Sequence, residues 1–320
     1  MPEDSYKTIL VTGGAGFIGS NYLNKYVPLH PETLFVNVDS LTYAGNLLNI
    51  EVSDCNNYAF EKVDICDYAS IDGVFKKYKP DAVIHFAAES HVDRSIEDPS
   101  IFVKTNILGT HNLLTLSKEN GVRRFHYIST DEVYGSLSLN DASWTEECSL
   151  DPRSPYSASK ASGELLTHSY GETFGLNTVI TRSSNNYGPY QDKSKLIPLF
   201  ITKLLKGEKV PIYGKGENVR DWLYVEDNCD AVELVFRKGK KGETYNIGGG
   251  NELSNIELTK KLLDITEKTE DLIENVSDRP GHDLRYAIDI TKIKGELGWE
   301  PKTSFEEGLN KTVAYYRKIS

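Results

Sequence analysis

The feature that most constrains the fold of this chain lies within its first twenty residues. An apolar run, Ile9-Leu10-Val11, passes directly into Thr12-Gly13-Gly14-Ala15-Gly16-Phe17-Ile18-Gly19 and then into a helical pattern. Glycines at 13, 16 and 19 let the backbone turn tightly, approach a pyrophosphate and pack the next helix on the sheet. The helix start then aims free N–H groups at the phosphates. Asp39 ends the second strand-like run twenty residues after Gly19, where a carboxylate can bind both ribose hydroxyls. An acid there repels a 2′-phosphate, so the expected cofactor is NAD rather than NADP.

Strand-like runs continue at 8–11, 34–38, 58–63, 82–86, 125–129 and 178–181, with helical stretches such as 71–78 and 101–118 between them. That alternation implies an α/β fold, a Rossmann-type doubly wound parallel sheet with helices on both faces. After Arg182 the prolines at 189, 198 and 211 and the glycines at 188, 207, 214 and 216 break the pattern into short pieces. Asp227 to Phe236 reads as a helix and Glu243 to Ile247 as a strand, so the chain returns to the first sheet. Ser254 is placed to cap a helix running to Thr266, and Phe305 to Tyr316 reads as the last helix. The expected division is residues 1–182 plus about 219–247 for the NAD-binding Rossmann domain. A smaller, interleaved second domain takes about 183–218 plus 248–320.

Charge narrows the partners. Lys and Arg number 36 against 47 Asp and Glu, a formal charge of −11, which repels a nucleic-acid backbone. The four cysteines, Cys55, Cys66, Cys148 and Cys229, form no C-x-x-C pair and read as reduced thiols of a cytoplasmic protein. Ile9-Leu10-Val11 is too short for a signal peptide or a membrane span. His85 and His91 with Glu89 lack a third ligand at suitable spacing, so no metal is expected.

Two constellations carry chemistry. Ser154-Pro155 is a good helix start, and Tyr156 and Lys160 follow four residues apart, on one helix face. A free phenol has a pKa of about 10, too high for a base at neutral pH. The Lys160 ammonium, a positive nicotinamide and the helix N-terminus all favour phenolate, so Tyr156 is expected to titrate low enough to take a proton from an alcohol. Thr130 would bond the same oxygen. Tyr58 and Lys62 share the spacing, but on a strand they lie too far apart to touch. Asp131 and Glu132 follow the fifth strand, at the carboxyl edge where doubly wound sheets place ligands. Neighbours on a strand point to opposite faces, so both acids reach one substrate only if the strand ends before them.

The three-residue spacing of the glycines resembles the extended short-chain dehydrogenase/reductase superfamily. Thr-Asp-Glu ahead of Tyr-x-x-x-Lys narrows this: the chain resembles the nucleotide-sugar 4,6-dehydratases. The similar segments are LTYAGN at 41–46, FAAESHVDRS at 86–95, STDEVYG at 129–135 and NNYGPYQ at 185–191. KLIP at 195–198, NVRDWLYVED at 218–227 and RPGH at 279–282 extend the match over nearly the full chain. Asp192-Lys193-Ser194 stands where Pro-Glu is usual before KLIP, and Leu284 where arginine is usual.

What the resemblance implies is a lyase of deoxysugar biosynthesis that holds NAD tightly and regenerates it at each turnover. Tyr156 would deprotonate the glucose 4-hydroxyl as the hydride leaves C4. Glu132 would take the C5 proton, and Asp131, kept protonated by its neighbour, would protonate the departing 6-hydroxyl. Asp64 and Ile65 would lie by the adenine, and Phe86, Ala87 and Ala88 by the ribose and nicotinamide. Asn185, Arg220, Asn255, Arg279 and His282 would surround the diphosphate, and Lys195, Leu196, Pro211 and Tyr213 the nucleotide. Thymine and uracil stay undecided, since one methyl contributes only about 1–3 kcal/mol. A homodimer through helices 101–118 and 156–174 is the superfamily expectation. A nucleotide-sugar 4-epimerase would need no Asp131-Glu132 pair, and a non-catalytic NAD sensor would need none of the acid–base set.

Overall fold

The computed structural model describes residues 5–278 and 283–319. Seven parallel strands make the main sheet: β1 (Thr8–Thr12), β2 (Leu34–Asp39), β3 (Tyr58–Lys62), β4 (Ala82–His85), β5 (Arg124–Thr130), β6 (Thr178–Ser183) and β10 (Thr244–Ile247). Their order is β10-β6-β5-β4-β1-β2-β3. The chain therefore winds outward one way from β1 and the other way from β4. The crevice at the carboxyl ends of those two strands is where such sheets take ligands.

Strand alternation sends side chains to two separate cores. Ile9 and Val11 join Phe35, Ile84 and Val179 on one face, under α1 (Phe17–Leu29), α8 (Val225–Lys238) and α10 (Thr291–Leu297). Leu10 and Val36 join Val83 and Phe125 on the other, under α2 (Tyr68–Tyr78), α5 (Thr110–Glu119) and α6 (Pro155–Phe174). Both faces are apolar because both are covered, as a parallel sheet requires.

A third core lies beyond the sheet's carboxyl edge. Phe200 and Leu204 of α7 (Leu196–Leu205), Leu262 of α9 (Asn255–Thr266) and Leu309 of α11 (Phe305–Ile319) pack there against Tyr187 and Trp222. Short sheets edge it: β7 (Asn185–Tyr187) beside β9 (Val219–Tyr224) beside β11 (Glu252–Ser254), and β8 (Val210–Tyr213) beside β12 (Ile273–Val276). Ser254 caps α9 with a reciprocal Glu257 contact, as its sequence position implied.

One expectation needs correcting and one refining. Pro198 does not break the chain; it sits in the first turn of α7, where its missing N–H has no helical partner to lose. The stretch expected as one helix from 101 to 118 is helical throughout but changes type along its length. Following the short α3 (Val92–Glu97), α4 (Pro99–Phe102) runs into a π-helical turn at Val103–Gly109 before α5 begins. That wide turn lets the Asn106 side chain leave the helix, accept from the Glu89 N–H at 2.8 Å and donate to the Glu89 carbonyl at 3.0 Å.

Two buried histidines set an acid limit on stability. His126 on β5 is fully enclosed, with Nε2 3.1 Å from Thr181 Oγ1 and its ring stacked on Phe236. Burial, then Arg124, push its pKa well below the usual value, and burial with Lys160 does the same to His85. An unfolded histidine takes its proton near pH 6.5, whereas these folded ones do not. The unfolded chain therefore binds more protons below that pH, and stability is lost as pH falls through it. We expect the melting temperature to drop between pH 7 and pH 5. His126→Gln should flatten the drop by at most about 1.4 kcal/mol per pH unit, measured by calorimetry.

Candidate active site

Two cavities, of about 310 and 250 Å³, open side by side at the carboxyl edge of the main sheet. Ser90, Gln191 and Lys195 line both, so the two are neighbours along one cleft.

The first cavity is built on the glycine loop. Gly13 has φ +72°, and a Cβ there would stand 2.5 Å from the Ala87 nitrogen, so the β1 and β4 loops meet backbone to backbone. Gly16, Phe17, Ile18 and Gly19 line the same wall at the start of α1. Asp39 closes β2; its Oδ2 accepts from the Ala15 N–H at 3.0 Å and its Oδ1 from the Leu41 N–H at 2.8 Å. Those bonds fix the carboxylate while leaving each oxygen a further lone pair for a diol. Asp64, Ile65, Phe86, Ala87 and Ala88 complete the wall, together with Tyr156 and Lys160. A loop that excludes any side chain at Gly13, facing a helix N-terminus and a fixed carboxylate, suits a dinucleotide.

The second cavity is lined by Glu132, Asn185, Lys195, Leu196, Pro211, Tyr213, Arg220 and Asn255. Its lining residues also carry buried polar atoms without a partner among the described residues, including Asn185 Oδ1, Asn255 Oδ1, His91 Nδ1 and Trp222 Nε1. Such atoms are costly unless a ligand satisfies them. Arg220 donates to the Val219 and Asp283 carbonyls at 2.8 and 3.0 Å and lies 4.2 Å from the Tyr286 ring centre. Arg279 and His282 lie outside the described residues. Sequence reasoning missed Trp222 and Tyr286 as wall residues. Trp222 lay inside a quoted segment, but nothing in the segment said which side chains face inward.

Where the cavities meet, β5 ends. Thr130 is its last residue and caps a single helical turn over Asp131–Tyr134, accepting from the Glu132 N–H at 3.3 Å. Strand alternation therefore stops one residue before the acid pair. Glu132 reaches the second cavity, while Thr130 and Asp131 line neither cavity and sit just behind it. Asp131 is 1% exposed, takes a 3.3 Å bond from Thr130 on Oδ1, and leaves Oδ2 without a partner among the described residues. Burial first, then Glu132 and Asp221, raise its pKa well above the usual carboxylate value, which favours the protonated form.

The oxidising pair differs from expectation in two respects. Ser154 caps α6 through Ser157, and Tyr156 and Lys160 do reach one cavity. Lys160 Nζ, however, donates to the Ile128 carbonyl at 2.6 Å and stands over the Tyr127 ring. Burial lowers its pKa to about 7. Burial and the Glu132 and Asp131 carboxyls push the Tyr156 phenol up, and the contact that opposes them is with Thr130. The protein's own groups thus leave Tyr156 protonated, and a cation in the first cavity is what would lower it. His85, with Nδ1 2.7 Å from Thr12 Oγ1 and Nε2 3.0 Å from Thr110 Oγ1, has both nitrogens engaged in packing.

A Rossmann sheet with this cleft and this acid–base set defines a dehydratase of the nucleotide-sugar class. Residues 10–312 match the GDP-mannose 4,6 dehydratase family, and the chain belongs to it. Among its relatives, the dTDP-glucose 4,6-dehydratase of Haemophilus influenzae is 49% identical over 96% of this chain and 97% of its own length. That of Neisseria meningitidis is 51% identical, covering 97% and 93%. The crystal structure of a dTDP-glucose 4,6-dehydratase from Streptomyces venezuelae with NAD bound superposes with a TM-score of 0.94. It is 47% identical and covers 97% of both chains.

Gly13→Ala tests the first cavity. A left-handed φ costs a non-glycine residue roughly 1–2 kcal/mol, and the added carbon meets backbone at Ala87. Purified Gly13→Ala should carry no NAD and melt a few degrees lower; normal NAD content by absorbance would contradict the cradle.

Proposed function

We propose that the protein is an NAD-dependent dTDP-glucose 4,6-dehydratase, a hydro-lyase that converts dTDP-glucose to dTDP-4-keto-6-deoxyglucose and water. The observation that carries this reading is the closeness of Tyr156, on the wall of the first cavity, to Thr130, Asp131 and Glu132, the last on the wall of the second. Relatives near 50% identity over nearly the whole chain support the dTDP sugar.

In this reading the first cavity holds NAD through the glycine loop, Asp39, Asp64, Ile65 and the 86–88 strand end. Bound there, NAD accepts the hydride of the sugar's C4 and returns it to C6. Tyr156 takes the proton of the 4-hydroxyl, and Thr130 holds the same oxygen. The resulting 4-ketone acidifies the C5 proton, which Glu132 removes. Asp131, already protonated, gives its proton to the 6-hydroxyl, which departs as water. The proton on Glu132 then returns to C5. Burial favours the protonated form of Asp131 while Glu132 faces the cavity, the kind of difference an acid–base pair requires. Asn185, Arg220 and Asn255, with Arg279 and His282, would hold the diphosphate, and Lys195, Leu196, Pro211 and Tyr213 the nucleotide. Residues 1–182 and about 219–247 would then carry the cofactor and the remainder the sugar nucleotide.

We also infer a homodimer. Ile101, Leu108, Leu165 and Phe174 are exposed on α4, the π turn and α6, an apolar face for a second copy. Four free thiols suit a reducing compartment, the cytoplasm. Among the described residues no helix is long and apolar enough to cross a membrane.

A second reading keeps the fold: a UDP-glucose 4-epimerase from Thermotoga maritima superposes with a TM-score of 0.91 at 36% identity. Epimerisation has no use for a protonated Asp131 beside Glu132, which ranks it lower. Incubation with dTDP-glucose and, separately, UDP-glucose should give loss of one water with dTDP-glucose preferred, by mass spectrometry. Loss only from UDP-glucose would reassign the nucleotide pocket, and a 4-epimer without water loss would overturn dehydration. Asp131→Asn should slow water loss by roughly 10²–10⁴-fold while oxidation proceeds, so absorbance at 340 nm should build up. Normal turnover would refute the acid role.

A further inference from the structure

Behind the acid pair lies a buried polar chain that no step above uses. Arg182, on β6, stands opposite Ser129 of β5, one residue before Thr130. Its guanidinium makes a bidentate pair with Glu164 of α6, Nη2 to Oε2 at 2.7 Å and Nε to Oε1 at 3.2 Å, with Nε also 3.0 Å from Oε2. Nη1 donates to the Tyr134 hydroxyl at 2.6 Å, and that hydroxyl donates to Asn246 Oδ1 at 2.8 Å. Asn246, on β10, is held in turn by its N–H to Glu146 at 2.7 Å and by its side-chain amide to the Trp144 carbonyl at 3.0 Å. Arg182 and Glu164 side chains are only 8% and 3% exposed.

The ends of this chain are the two halves of the site. Glu164 lies four residues after Lys160 and eight after Tyr156, on the same helix face. Tyr134 is the last residue of the turn that begins with Asp131 and Glu132. One rigid fork therefore ties the helix bearing the oxidising pair to the turn bearing the elimination pair. Stability is a poor reason for it, because a buried ion pair is often replaced by apolar residues without loss. What a bidentate arginine supplies is fixed geometry.

We infer that Arg182, acting through Glu164 and Tyr134, is a positioning residue that holds the acid–base turn at a set distance from Tyr156, so that one substrate pose serves both oxidation and water loss. The inference rests on the dehydratase reading. Loosening the tie leaves Tyr156 on its helix and lets the turn drift, so the two chemical phases part company. A displacement of about 1 Å is enough to slow a positioned step by as much as 100-fold.

Tyr134→Phe is the mildest test, since it removes one hydroxyl and keeps the ring stacked on Trp144. A Glu164→Gln/Arg182→Met double variant removes the fork without stranding a buried charge. Single-turnover runs with dTDP-glucose would follow the 340 nm rise for oxidation and quenched-flow mass spectrometry for water loss, with melting temperature as a folding control. In both variants oxidation should stay within about twofold of the parent while water loss slows roughly 10- to 100-fold, with KM unchanged. Equal slowing of both phases, or no change in either, would overturn the positioning role. A parent enzyme that oxidises dTDP-glucose but loses no water would instead overturn the dehydratase reading, and the inference with it.

Discussion

Everything at this site depends on where β5 stops. A strand offers alternate side chains to opposite faces, so Asp131 and Glu132 could not serve one substrate from within it. The chain leaves the strand at Thr130, whose hydroxyl accepts the Glu132 N–H and starts a helical turn. That one capped turn aims Glu132 into the second cavity and tucks Asp131 behind its wall. It also leaves Thr130 beside Tyr156, so the oxidising and eliminating groups share a few ångströms of protein.

Proximity alone would leave two equivalent acids. The difference comes from solvent. Asp131 is enclosed, with Glu132 and Asp221 near it, and each of these disfavours its charge. Glu132 is partly open to the cavity. Burial also governs the oxidising pair, raising the phenol and bringing Lys160 to about 7. The charges that would reset Tyr156 must therefore arrive with the cofactor. This couples the readiness of the base to occupancy of the neighbouring cavity.

Much of this was legible in the sequence, for specific physical reasons. The loop at 12–19 admits few folds, and each of its marked residues lines the first cavity. The spacing of Tyr156 and Lys160 translates directly into a shared cavity because a helix has a fixed period. Asn185, Lys195, Leu196, Pro211, Tyr213, Arg220 and Asn255, drawn from segments far apart, line the second cavity together. Other features depend on surroundings that no local pattern encodes. Pro198 read as a breaker because its position within a helix is invisible until the cap is known. The π turn at Val103–Gly109 follows from Asn106 bonding Glu89, a contact across 17 residues. Lys160 turning to the Ile128 carbonyl, and Asp131 withdrawing from both cavities, are outcomes of packing.

The central claim is that one cleft oxidises C4, expels water across C5 and C6, and reduces C6 without releasing cofactor or sugar between steps. The most direct test uses dTDP-glucose carrying deuterium at C4, incubated in ordinary water, with the product examined by NMR. Deuterium recovered at C6 is the expected result. A product with no deuterium at C6, or with the label still at C4, would contradict the account.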